Sequence, residues 1–95
     1  ASAPIVICKG KGKIAEKIIE KGKELNIGTM QSPKLARAIY FTSEIGDEIM
    51  NQLYSAVAMA LAYIFKVDKG EEVEKPEIEL PNELVFDEFG RNNVE

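Results

Sequence analysis

Residues 35–67 read LARAIYFTSEIGDEIMNQLYSAVAMALAYIFKV, and this stretch decides the fold because its second half predicts an unusually apolar helix. Between about Glu48 and Lys66, apolar residues recur at helical spacing, and further apolar residues widen the stripe around most of the circumference. A helix of this kind needs partners on more than one side. We therefore expect it to be either the central packing element of the domain or a binding surface.

The helix before it has a clear start in the sequence. Ser32 can cap free backbone N–H groups, and Pro33 at the first helical position loses nothing by lacking an N–H. Gly46 then breaks the chain ahead of the apolar helix. This part of the chain therefore predicts two consecutive helices.

The residues upstream predict a strand, a helix and a second strand. Residues 5–8, IVIC, form a continuous apolar run with β-branched residues, which is typical of a strand buried on both faces. Residues 13–25 carry an apolar stripe at helical spacing, and Asn26 can take the left-handed conformation that ends a helix. Residues 27–31 predict a second short strand. The order strand, helix, strand, helix, helix predicts an α/β fold in which a small sheet is packed with three main helices.

The composition indicates one small domain followed by a tail of opposite charge. A chain of 95 residues with 45% hydrophobic content is long enough for a single core. Residues 1–67 hold nine Lys/Arg against six Asp/Glu, whereas residues 68–95 hold three against ten, so the formal charges are +3 and −7. We expect residues 1–67 to form the body and residues 68–95 an acidic tail that is extended or disordered. Docking of the tail on the lysines of the body is the alternative.

The sequence carries few groups for catalysis, metal binding or secretion. No apolar run approaches the roughly 18 residues of a membrane span, and no signal-peptide pattern is present, so we expect the chain as given to be soluble. Histidine is absent, and the single Cys8, at the end of an apolar run, is expected to be a buried small hydrophobe. Glu44, Asp47 and Glu48 surround a helix start, where carboxylates stabilise the helix dipole. No cofactor and no metal are predicted.

A glycine pattern lies between the first predicted strand and the first predicted helix. Gly10, Gly12 and Ala15 match G-x-G-x-x-A, which in a dinucleotide site lets a pyrophosphate approach backbone N–H groups at the helix start. However, the next predicted strand ends at Gln31 without the expected carboxylate, and too few strands remain for a doubly wound sheet. A small nucleotide-binding or regulatory α/β protein is therefore the alternative function, and a tight strand-to-helix turn is the simpler interpretation.

Three lysines, Lys9, Lys11 and Lys13, crowd beside this turn and form a candidate basic contact patch. Such a patch is either a solvated rim or a contact for an acidic protein surface or anionic lipid. The whole chain is acidic and no aromatic residues are interleaved with the lysines, so no nucleic-acid partner is predicted.

Several short strings give the chain a more specific likeness. They are Leu35-Ala36-Arg37-Ala38, Glu44-Ile45-Gly46 and Leu53-Tyr54 followed by Ala56-Val57-Ala58. With them the chain resembles the cytoplasmic domain of the FlhB/YscU family, the export-gate proteins of flagellar and virulence type III secretion. The resemblance extends upstream through residues 3–27 and stops near Val67.

The resemblance carries an expectation about catalysis. Family members cleave themselves between the Asn and Pro of an Asn-Pro-Thr-His motif. This motif is absent here, and Pro81-Asn82 has the reverse order. The chain is then either downstream of a cleavage site or a short paralogue that never cleaves, and in both cases we expect no enzymatic activity. Family members also carry more sheet-forming sequence before the position of Ala3, which implies an incomplete sheet, an associated second fragment or a repacked edge.

The resemblance also implies a binding site and partners. A small hydrophobic patch of the family receives the targeting motif of export substrates, and its positions correspond here to Ala3, Pro4, Ala58 and Leu61. Periodicity alone leaves core packing of Ala58 and Leu61 open, and the resemblance favours binding. The implied partners are secreted rod-type or hook-type export substrates and other export-apparatus proteins. The implied location is cytoplasmic, at the inner face of the bacterial cell membrane, with membrane contact only through an upstream region outside this chain.

Overall fold

The computed structural model describes residues 3–92 and contains three α-helices in that part of the chain. They are α1 (Lys13–Glu24), α2 (Pro33–Thr42) and α3 (Tyr54–Asp68), with short 3-10 helices at Asn51–Leu53 and Asn82–Leu84. None of the helices between residues 3 and 92 combines the length and the hydropathy that crossing a bilayer requires. The three predicted helices are therefore confirmed as elements.

The predicted α/β fold is wrong, because the described part of the chain is mainly helical and contains no sheet. The first predicted strand makes a single antiparallel bridge, between Ile5 and Glu48. Around it, the Val6 N–H donates to the Asp47 carbonyl over 2.9 Å, and the Ile49 N–H donates to the Pro4 carbonyl over 3.0 Å. The backbone N–H and C=O groups of a strand need partners on a neighbouring strand. A single bridge does not supply them, since a stable sheet needs about three strands.

Residues 5–8 are also not buried on both faces. Val6 is buried in the core, whereas Ile5 is 54% and Ile7 is 83% exposed. This alternation is that of an extended segment with one covered face. Cys8 is exposed as well, so its predicted role as a buried hydrophobe is wrong.

The second predicted strand, residues 27–31, is also absent. Its glycine lies tightly against the C-terminal half of α3: a Cβ on Gly28 would stand 2.5 Å from Cγ2 of Ile64 and 2.9 Å from a carboxylate oxygen of Asp68. The segment therefore packs on α3 through a glycine instead of pairing in a ladder.

The local signals for helix ends are confirmed at two places. The Leu35 N–H donates to Oγ of Ser32 over 3.4 Å, and Pro33 occupies the first turn of α2. Asn26 has a φ of 56° and is the non-glycine residue with positive φ among the described residues. α3, in contrast, begins at Tyr54 instead of near Glu48, because the chain remains extended at Met50 and then forms a 3-10 turn.

The core draws on the N-terminal segment, α2, α3 and the tail, but not on α1. α1 has no buried residue, and its Ile14 and Ile19 are 61% and 46% exposed. Leu53 is fully buried at the centre of the remaining elements. The buried apolar residues are Val6, Leu35, Ala38, Ile49, Leu53, Ala56, Val57, Ala60, Ile78 and Leu84.

The acidic tail is extended but it belongs to this core. Ile78 and Leu84 are 6% and 5% exposed, and Leu80 and Phe86 pack against the same cluster. Nζ of Lys75 also donates to the Gln31 carbonyl over 2.8 Å. The division of the chain at residues 67 and 68 stays a prediction, but the tail contributes to the stability of the body in either case.

The last described residues form a hydrogen-bonded turn on α2. The side-chain amide of Asn92 donates to the carbonyls of Asn82 and Val85 over 2.9 and 3.0 Å. Gly90 has a φ of 82°, and a Cβ there would lie 2.7 Å from the Phe41 ring. The glycine is therefore required both by the backbone conformation and by the close approach to α2.

The burial of Ile78 predicts that truncation of this side chain destabilises the whole domain. Ile78→Ala removes buried methyl groups and leaves a cavity, so we expect a loss of about 2–4 kcal/mol in the free energy of unfolding, measured by urea denaturation. Glu79→Ala, at the exposed neighbouring position, is the matched control and stays within about 0.5 kcal/mol. Equal stability of the two variants would show that the tail is not part of the core.

Candidate functional site

α3 has one side in the core and another apolar side exposed to solvent. Ala56, Val57 and Ala60 are buried on the inner side. Four of the exposed apolar residues of α3 lie at positions i, i+4, i+7 and i+11, and we call this set the α3 outer face. It consists of Tyr54 (41% exposed), Ala58 (exposed), Leu61 (38%) and Phe65 (61%). The apolar helix is thus both a packing element and an open surface.

The four predicted docking residues lie on two elements. Ala58 and Leu61 are brought together on the α3 outer face. Ala3 is half-buried and Pro4 is exposed, and the Pro4 carbonyl is held by the Ile49 N–H, close to the beginning of the 3-10 turn that leads into α3. Their role in binding stays a prediction.

The outer face also contains Tyr54 and Phe65, which were not predicted as site residues. The periodicity placed both in the wide apolar stripe of the helix but did not say which side would remain uncovered. The sequence feature that groups Tyr54 and Phe65 with Ala58 and Leu61 is their spacing, since residues at this spacing lie on one side of a helix.

The chemistry available on this face is apolar contact. Its side chains are methyl, isobutyl and aromatic groups, with the Tyr54 hydroxyl as the polar exception. Within residues 3–92, no group of three or more His, Cys, Asp or Glu residues is placed to hold a metal ion. The face can bury apolar side chains of a partner, each of which contributes about 1.5–3 kcal/mol when fully covered.

The glycine turn has a structural explanation for both of its glycines. A Cβ on Gly10 would overlap Cγ2 of Ile14. Gly12 precedes α1 with φ 56° and ψ −125°, a conformation that side chains with a Cβ rarely adopt. The pattern G-x-G-x-x-A therefore follows from the turn itself, and the described residues provide no sheet on which a dinucleotide would lie.

The three predicted patch lysines differ in their surroundings. Nζ of Lys9 donates to the carbonyls of Tyr40 and Ser43 over 3.0 and 2.7 Å and lies 3.7 Å from the Glu44 carboxylate. It therefore binds the C-terminal carbonyls of α2, where a cation is favoured. Lys11 and Lys13 are exposed. The basic contact patch stays a prediction, and Lys9 has a structural role beside it.

The contacts of Lys9 predict that its replacement destabilises the domain. Lys9→Met keeps an unbranched chain as far as Cε but loses the ammonium group and both hydrogen bonds, so we expect the free energy of unfolding to fall by about 1–2 kcal/mol. Lys13→Met removes the same charge at an exposed position and is expected to change it by less than about 0.5 kcal/mol. Urea denaturation of both variants measures the difference. A Lys9 variant as stable as the Lys13 variant would contradict the capping role.

Comparison with known proteins identifies the family to which the chain belongs. Residues 1–64 match the family described as FlhB HrpN YscU SpaS. The chain belongs to this family. The resemblance carried by the short strings around α2 and α3 is thereby confirmed.

Similar proteins include flagellar biosynthetic proteins from two well-known bacteria. The chain is 42% identical over 91 residues to "Flagellar biosynthetic protein FlhB" of Salmonella typhimurium, a match that covers 90% of this chain and 24% of the relative. It is 47% identical over 68 residues to the protein of the same name from Escherichia coli strain K12, covering 72% of this chain and 18% of the relative. The chain thus spans less than a quarter of the length of these relatives. The Salmonella match reaches beyond Val67 into the tail.

A solved structure shares the fold. The chain is similar to the crystal structure of the cytoplasmic domain of FlhB from Shewanella putrefaciens, with a TM-score of 0.81 and 38% sequence identity. The match covers 90% of this chain and 72% of that chain. The arrangement of helices and tail described above is therefore an arrangement found in a cytoplasmic domain of this family.

Proposed function

We propose that this chain is a non-catalytic cytoplasmic domain of a flagellar or related type III protein-export apparatus and that it binds export substrates at the α3 outer face. Membership of the family and the likeness to the cytoplasmic domain of FlhB support a place in the export apparatus. The observation that carries the binding role is the exposure of Ala58 and Leu61 on a helix whose other side is in the core.

The shape of the outer face favours an extended peptide with one or two apolar side chains. Ala58 is short and lies between the larger Tyr54 and Leu61, one turn away on either side along the helix. We expect this arrangement to leave a shallow depression with apolar walls. Ala3 and Pro4, on the segment held by Ile49, are proposed to extend the same patch.

The expected affinity is low, and this agrees with transient delivery of substrates. One or two apolar side chains contribute about 1.5–3 kcal/mol each when buried. Association itself costs roughly 4–15 kcal/mol, so a peptide anchored in this way binds weakly unless other contacts add to it. Weak binding allows each substrate to leave the domain and enter the export path.

The partners and the location follow from the same proposal. The substrates would be secreted rod-type or hook-type subunits, and the remaining partners would be other proteins of the apparatus. By selecting among substrates, the domain would help to set their order of export. Its place would be the cytoplasmic face of the bacterial cell membrane, with the membrane contacted by a region upstream of this chain.

A charge on the outer face is expected to abolish substrate binding without unfolding the domain. Ala58→Asp and Leu61→Asp place a carboxylate where an apolar side chain would be buried, and desolvation of an unpaired charge is costly. We expect at least a tenfold loss of affinity for peptides from rod or hook subunits, since about 1.4 kcal/mol already gives tenfold. Titration followed by NMR measures the affinity and the site together.

Met59→Asp is the control for this test. Met59 is 43% exposed on α3, and no residue of the outer face lies three or four positions from it, so its replacement introduces the same charge on the same helix away from that face. It is expected to bind the peptides like the unmodified chain. Loss of binding in all three variants, or NMR shifts that leave Ala58 and Leu61 unchanged, would contradict the docking role.

A further inference from the structure

A second surface feature lies away from the α3 outer face, where the glycine turn, α2 and the end of the tail meet. These three segments enclose a cleft of about 360 Å³, which we call the turn cleft. Its volume is at the lower end of the range of roughly 300–1,000 Å³ that is typical of ligand pockets. The side chains that give it chemical character are Lys11, Arg37, Tyr40, Phe41, Glu88 and Phe89.

The cations of the turn cleft are available to a ligand. Lys11 is exposed, and its Nζ lies 6.0 Å from the centroid of the Tyr40 ring. Arg37 is half-buried, and within residues 3–92 its guanidinium makes no hydrogen bond or ion pair. An arginine held in a concave site with five unused donors is suited to a carboxylate, which it can bind through two parallel hydrogen bonds.

Aromatic side chains from α2 and from the tail line the cleft. Tyr40 and Phe41 contact each other edge to face, with ring centroids 5.0 Å apart. The lining also includes Phe89, which is 67% exposed and lies with its ring centroid 5.2 Å from the guanidinium carbon of Arg91. Oδ1 of Asp87 accepts hydrogen bonds from the backbone N–H groups of Phe89 and Arg91 over 2.9 and 2.8 Å. A large exposed ring on a hydrogen-bonded turn offers an apolar contact, and the hydrogen bonds reduce the conformational entropy that binding would cost.

We propose that the turn cleft binds an acidic segment of a partner protein, in which a carboxylate lies next to an aromatic or other large apolar residue. The carboxylate would contact Arg37 and Lys11, and the apolar side chain would lie between Tyr40 and Phe89. This site extends the predicted lysine patch to residues of α2 and of the tail. It does not depend on the α3 outer face, so each of the two proposals can fail alone.

The charge of the walls favours a carboxylate over a more highly charged ligand. Two cations and one carboxylate, that of Glu88, give the lining a formal charge of +1, whereas the whole chain carries −4. Glu88 repels a phosphate dianion or a polyanionic nucleic acid more strongly than it repels a single carboxylate. A simple inorganic anion has no apolar group that could pack against the aromatic side chains of the cleft.

The first test compares charge removal inside and outside the cleft. The probe is a short capped peptide with one phenylalanine between pairs of glutamates, titrated into the full 95-residue chain and followed by NMR. The double variant Lys11→Gln with Arg37→Gln is expected to bind about tenfold more weakly than the unmodified chain. The control, Lys17→Gln with Lys69→Gln, lowers the net charge by the same amount at two exposed positions outside the cleft and is expected to bind normally.

The second test exchanges two exposed phenylalanines. Phe89→Ala is expected to weaken binding of the acidic peptide several-fold, whereas Phe65→Ala, on the α3 outer face, leaves it unchanged. For the rod or hook peptides of the proposed function, Phe65→Ala is expected to weaken binding several-fold and Phe89→Ala to leave it unchanged. Both side chains are more than half exposed, so neither replacement endangers folding.

Several results would overturn the assignment. They are absence of binding at millimolar peptide, equal weakening by the two double variants, or equal binding by a peptide with lysines in place of the glutamates. Inorganic phosphate and adenosine monophosphate serve as further probes. If either produces the NMR shifts at Arg37 and Phe89 and the acidic peptide does not, the cleft binds a small anion and the proposal is wrong.

Discussion

Burial of the inner side of α3 is the interaction on which the other segments depend. Leu53, just before the helix, is fully buried, and Ala56, Val57 and Ala60 continue the same stripe. Segments that have little regular structure of their own reach the core here: the extended N-terminal segment through Val6 and the tail through Ile78 and Leu84. Small residues such as alanine on this side let neighbouring segments approach the helix closely. The hydrophobic effect at one helix side thus replaces the sheet as the organising element of the described chain.

The same arrangement leaves two surfaces available. The core contacts fill one side of α3, so the outer face with Ala58 and Leu61 stays open. The tail, after passing through the core, returns to α2 and places Phe89 beside Arg37. α1 contributes to neither core nor outer face, and its exposed isoleucines lie on a helix without a buried residue. The domain therefore has a packed centre with apolar and charged surfaces around it.

The sequence predicted local features well because they depend on neighbouring residues. Ser32 with Pro33 begins α2, and Asn26 takes the left-handed conformation, for reasons that act within a single turn of chain. Ala58 and Leu61 were also correctly placed on one side of a helix by their spacing. The sheet failed because residues 5–8 and 27–31 have the composition of strands but lack partners in the described chain. A strand-like sequence indicates a local preference for extended backbone, whereas pairing into a sheet also requires a neighbouring strand.

The burial of the tail in the core and the turn cleft were not predicted, because both depend on tertiary contacts. Ile78 lies between glutamates, and the high charge of its surroundings favoured an extended or disordered segment. Its burial became visible only with the core around it. Arg37 was recognised as part of a family string, but its place in one cleft with Phe89 depends on the path of the tail. Periodicity cannot bring together two residues separated by fifty positions.

Carbene footprinting with mass spectrometry shows whether α3 keeps one apolar side in the core and offers the other to substrates. In the free chain, Leu61 and Phe65 are expected to be labelled strongly and Leu53 and Val57 weakly. Addition of a rod or hook subunit is expected to protect Leu61 and Phe65 and to leave the inner residues unchanged. Protection of Leu61 and Phe65 already in the free chain, or strong labelling of Leu53, would contradict the account.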